Sequence, residues 1–101
     1  MVQFDVYKNL NEATNKTFPY LLNVQNDLLS SMTTRVVVPL ALGIEPIRHL
    51  NPTFTIEGQS LVMSTAEMAG ISLAECSDFV VNLKENRNEI IDALDFLVNG
   101  F

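Results

Sequence analysis

Hydrophobic and polar residues alternate with a period of two along most of the chain, then switch to a helical period near its end. In "VQFDVYK" (residues 2–8), Val2, Phe4 and Val6 fall on one side and Gln3, Asp5 and Tyr7 on the other. This pattern predicts a half-buried strand. The polar stretch "NLNEATNKT" (residues 9–17) predicts a mobile connection, and "YLLNVQ" (residues 20–25) a second strand. "NDLLSSMTT" (residues 26–34) mixes turn formers with two adjacent leucines, and the β-branched "RVVVPLA" (residues 35–41) predicts a third strand. Pro39 has no N–H to give to a ladder, so a bulge or a strand edge is expected there. Residues 42–52 carry Gly43, Pro46 and Pro52 and read as irregular. In "TFTIEGQSLVMS" (residues 53–64) two strands flank "EGQ", where Gly58 supplies the positive φ of a hairpin turn. Residues 65–73 suggest a short strand or turn followed by another short strand.

From Asn82 onward the period becomes 3.6. Leu83, Ile90, Leu94, Leu97 and Phe101 form one stripe, with Ile91 and Val98 beside it. Asn82 followed by Glu85 resembles a capping box and predicts a helix start there. The expected fold is mainly β: a small barrel or strongly bent antiparallel sheet of short strands, closed by one long C-terminal helix of about four turns, in a single domain spanning residues 1–101.

Composition narrows the function. Apolar residues make up 48% of the 101 positions, enough for one core, while charged residues reach only 18%, below the usual quarter. That shortfall points to a surface partly covered by a partner, such as a second copy. A net charge of −6, with no basic run, argues against phosphate-driven binding of nucleic acid by this chain alone. The start has no basic segment followed by an apolar one, and Pro39 interrupts the longest apolar run, so a cytoplasmic protein without a membrane segment is expected.

Catalytic chemistry finds little support. His49 is the only histidine and reads as a solvated loop side chain. Cys76 is the only cysteine; with no second thiol and no basic neighbour in sequence, it reads as an idle thiol. The four glycines form no phosphate-cradling pattern, and one His with one Cys is a poor start for a metal site. No cofactor and no enzymatic activity are expected.

Two places break local rules. In the closing "DFLVNGF", apolar bulk, Asp95 and the chain end gather at the electronegative end of a helix, where cations would be favoured. Such a tip is suited to plugging a partner's pocket that holds a cation. Leu28 and Leu29 are adjacent and cannot both face one core from a strand; near the helix tip they would form an apolar patch.

The ordered segments "QFDVY", "VQNDLL", "RVVVPLA", "TAEMAGI", "RNEIIDAL" and the terminal "NGF" together resemble the CcdB toxins from end to end. The resemblance implies an SH3-like barrel closed by a C-terminal helix, and a homodimer. It implies a protein that is not itself an enzyme and poisons DNA gyrase by binding the A subunit and trapping the cleaved-DNA complex. It also implies a cognate antitoxin similar to CcdA that removes the toxin and, in complex with it, represses the operon, so that operator DNA is met only through that complex. Carried over by position, the gyrase contacts are Leu28, Leu29, Asp95, Asn99, Gly100 and Phe101. Well-known members end in Trp-Gly-Ile, and that Trp stacks on a gyrase arginine; here Asn99 takes its place, Phe101 replaces the Ile, and Asp95 replaces an Asn. The alternative function is a protein of this fold that binds antitoxin and regulates its operon without poisoning gyrase. A small ribonuclease is a third class, resting only on the adjacent Arg48 and His49.

Overall fold

The tightest local signal, "EGQ", forms a two-residue hairpin turn in the computed structural model, which describes residues 2–100. Glu57 and Gly58 both take positive φ, 51° and 78°. That pair of values matches the right-handed twist of the flanking strands β4 (Thr53–Ile56) and β5 (Gln59–Met63), which pair from Ile56↔Gln59 back to Thr53↔Val62.

The other strands are β1 (Asp5–Lys8), β2 (Tyr20–Asn23), β3 (Thr34–Ala41), β6 (Ala69–Ser72) and β7 (Phe79–Asn82), followed by the helix α1 (Arg87–Asn99). Among the described residues every pairing is antiparallel, and the strands run β4-β5-β3-β2-β1-β7, with β6 joined to β3. The sheet curls into a half-barrel, as the mainly β reading expects. Its concave face carries Val6, Leu22 and Val38 in one cross-strand row and Tyr20, Leu40 and Met63 in another. Ile90 and Ala93 of α1 complete that core.

Proline in the middle of β3 has a specific explanation. β3 pairs with β6 through Val37 and with β5 from Leu40 onward. Pro39 sits at the gap between these two partners, and its carbonyl accepts the Ser64 N–H at 2.9 Å. A strand residue's N–H and C=O point to the same side, so the missing donor faces the gap and no ladder bond is lost. The edge expected from the sequence is therefore an internal one.

Three expectations change. The first strand begins at Asp5, because Phe4 takes a left-handed φ of 72° and Val2 is exposed. Its outer face is also buried: the Tyr7 hydroxyl donates to Asp5, whose carboxylate also accepts the Val2 N–H and the Asn82 amide. Second, Asn82 ends β7, a strand the sequence reading did not assign, and α1 starts only at Arg87 after a 3-10 turn (Lys84–Asn86). The Asn82 side-chain oxygen accepts the Lys84 N–H at 2.8 Å at the start of this turn, while its NH2 donates to the Gln3 carbonyl and to Asp5. A complete capping box occurs elsewhere, with Ser72 and Glu75 around the 3-10 turn Leu73–Glu75. Third, the helical stripe leaves the core early. Ile90 and Ala93 are buried, Ile91 and Leu94 partly so, and Leu97 and Val98 are exposed.

Both tyrosines of the chain are buried. Burial and the hydrogen bond donated to Glu57 push Tyr20 up to about 12, and burial with the Asp5 bond raises Tyr7 further. A raised folded-state pKa contributes stability that is complete below the unfolded value, about 10, and is lost as the pH rises through the folded value. Alkaline titration is therefore expected to show no tyrosinate absorbance near pH 10 and to show it, together with loss of helical signal, as the pH nears about 12. Tyrosinate forming near pH 10 in protein that keeps its circular dichroism would contradict the burial of both rings.

Candidate functional site

The end of α1 projects beyond the core. Core packing stops at Ala93 and Leu94, so the last turn runs past it, with Val98 75% exposed and Asp95 and Asn99 open to solvent. Gly100 closes the helix in a left-handed conformation, φ 77°, and its N–H reaches the Phe96 carbonyl at 2.9 Å. No basic residue lies in the last turn. Free carbonyls and nearby carboxylates thus surround exposed apolar surface, an arrangement that attracts a cation flanked by apolar groups. Phe101, the remaining residue expected at the tip, lies outside the described residues.

The irregular segment, residues 42–52, comes up beside this tip. It is pinned where the buried Thr65 hydroxyl donates to the Leu50 carbonyl and where Asn51 bridges the Ile47 N–H, at 2.8 Å, and the Met63 carbonyl, at 2.9 Å. His49 takes a left-handed φ of 69° and turns its ring toward Phe96, with centroids 6.0 Å apart. A groove of about 690 Å³ separates His49, Asn51 and Pro52 from Glu89, Asp92, Asp95 and Asn99 on the helix. Asp95 and Asn99 therefore line a groove wall. Periodicity gives the helix face, but no sequence signal places the segment around His49–Pro52 across a groove from it.

Leu28 and Leu29 are exposed as expected, 90% and 49%. They ride on a 3-10 turn (Asp27–Leu29) capped by Asn26, whose side chain accepts the Leu28 N–H at 2.9 Å. Within the chain this turn is not beside the helix tip. The Asp27 carboxylate accepts the Gln3 N–H at 2.7 Å, and Arg87 at the start of α1 donates to the Gln3 side chain at 3.3 Å. Asp27 also shares a depression with Lys84 and Arg87. The helix start lies about 18 Å from Asn99 at 1.5 Å per residue. The sequence reading of one continuous patch is thus corrected: a single chain carries two patches, one near each end of α1.

Cys76 has a basic neighbour that its sequence context does not reveal. Burial pushes its thiol up, Arg35 opposes this, and Glu75 adds to the rise. The net direction favours the thiol over the nucleophilic thiolate. No group of His, Cys, Asp or Glu suited to a metal ion occurs among the described residues, and none of their helices is long and apolar enough to cross a membrane.

A family model described as CcdB protein matches residues 3–100 of the 101-residue chain. The match takes in both exposed patches, from Leu28 to Gly100, and the whole curled sheet with its C-terminal helix. The chain belongs to the CcdB family, the toxin half of toxin–antitoxin pairs.

Proposed function

We propose that this toxin binds the A subunit of DNA gyrase and traps the gyrase–DNA cleavage complex, using Asp95, Asn99, Gly100 and Phe101 at the helix tip and Leu28 and Leu29 on the turn. The observation that carries the reading is the tip itself: exposed apolar surface and carboxylates at the electronegative end of the helix, with no basic residue in its last turn among the described residues. It acts by binding and not by catalysis; the His49 ring faces Phe96, with centroids 6.0 Å apart, and burial pushes the Cys76 thiol up. A homodimer presents each patch twice about a two-fold axis, which suits a two-fold symmetric target. The antitoxin partner follows from membership of the family.

Asn99 changes how the target is gripped. A guanidinium can donate to Asn99 and pair with Asp95, but finds no ring on which to stack. Ion pairing at an exposed tip is screened by salt more strongly than stacking is. A gyrase cleavage assay with the purified protein at low and physiological ionic strength tests the reading. Accumulation of cleaved DNA that weakens as salt rises is the expected result. No cleavage at either salt, with antitoxin still bound, would favour the alternative that Asn99 keeps open: a family protein that regulates its operon without poisoning gyrase.

A further inference from the structure

Exposed leucines on a surface turn usually sit on mobile chain. Here the backbone beneath them is tied down by two buried polar side chains, one at each end of residues 26–34. Arg35 is only 5% exposed. Its guanidinium donates to the carbonyls of Met32 at 2.5 Å, Thr34 at 2.8 Å and Ser30 at 2.9 Å. Gln25, also buried, donates to the Leu29 carbonyl at 3.1 Å and accepts the Val36 N–H at 3.0 Å. Burying an arginine is unfavourable unless its donors are satisfied. All three of these bonds go to main-chain oxygens in and beside the turn. The Ser30 and Met32 oxygens precede the β3–β6 ladder, which begins at Thr34↔Ser72, so the side chains supply partners that a sheet would otherwise give.

We infer that Arg35 and Gln25 are positioning residues, which hold residues 26–34 ready-formed so that Leu28 and Leu29 meet their partner without an ordering step. The inference rests on the proposed role of the two leucines and extends it to residues that touch no partner. Binding through a preformed turn avoids the entropy of fixing a loop on association. The apolar side chains can then stay solvent-exposed while their backbone stays ordered.

The first measurement uses the unaltered protein. The amides of Leu29, Ser30 and Met32 are bonded within the turn and are expected to exchange far more slowly than free loop amides. Exchange at free-loop rates overturns the inference. Next, Arg35→Lys and Gln25→Met are compared with the native chain by exchange and by affinity for the gyrase A subunit. Arg35→Lys keeps the charge but loses the fork, and Gln25→Met removes the opposite anchor; if one does not fold, the other carries the test. Expected are exchange at residues 26–34 faster by about tenfold or more, helix exchange unchanged, and target affinity lower by about tenfold. Leu28→Ala should then lose less in the Arg35→Lys background than in the native one, a coupling that general destabilisation does not produce. Faster exchange with full target affinity overturns the positioning role. A native-background Leu28→Ala with full affinity instead removes the proposed leucine contact, whatever the exchange shows.

Discussion

If the proposed contact holds, deleting residues 99–101 is expected to abolish gyrase poisoning while leaving the fold intact. The deletion removes Asn99, Gly100 and Phe101; the first two are exposed and contribute nothing to the core. Among the described residues, the backbone bond from this pair outside the regular helix ladder is Gly100 N–H to Phe96, so a loss within about 1 kcal/mol and a melting shift below about 8 °C are expected. Central anchors of an interface contribute about 2–4 kcal/mol, so target affinity should fall by about 30- to 1,000-fold. Calorimetry and the cleavage assay, run on the same truncated protein, separate the two effects. Loss of poisoning only in step with unfolding would mean that the end of the chain stabilises the fold and does not plug a pocket. The complementary substitution, Asn99→Trp, restores a ring for an arginine to stack on and should raise affinity by about 2- to 30-fold. Unchanged affinity would place the target cation away from residue 99.

Ile90→Ala should have the largest effect on stability. Ile90 is fully buried and is the main aliphatic anchor of α1 in the core shared with Phe4, Val6 and Leu22. Removing it leaves a cavity under the helix and is expected to destabilise by about 2–5 kcal/mol. For a domain of this size that lowers the melting temperature by about 10–30 °C. Leu97→Ala, one turn past the core, should stay within about 1 kcal/mol because Leu97 is already exposed. Chemical denaturation of the two variants side by side provides the check. Equal losses would mean that the last turn is packed, contrary to the open tip on which the proposed contact depends.

Much of the local architecture was legible in the sequence. The hairpin at Glu57–Gly58, the strand from Arg35 to Ala41 and a C-terminal helix are all present. Each depends on properties held within a few residues: a turn that needs positive φ, β-branched side chains, or a 3.6-residue period. Misreadings arose where a residue's partner lies far along the chain. Asn82 accepts the Lys84 N–H as a local cap would, yet it ends β7, where its NH2 also binds Gln3 and Asp5, 79 and 77 residues away. Cys76 has no basic neighbour in sequence, yet lies in the field of Arg35.

Residue order alone makes parts of the proposed site conspicuous: two adjacent leucines in a polar turn, and an acidic, apolar helix end with no basic residue after Arg87. Tertiary structure alone decided how they are arranged. It set Leu28 and Leu29 near the start of α1, brought the His49 segment against Asp95 and Asn99, and supplied Arg35 and Gln25 as anchors beneath the leucine turn. The division has one cause. Backbone preference and hydrophobic period act between near neighbours and are written directly in the order of residues. Which turn lies beside which helix end depends on sheet register and on where the concave core runs out, and those are fixed only when all the strands pack together.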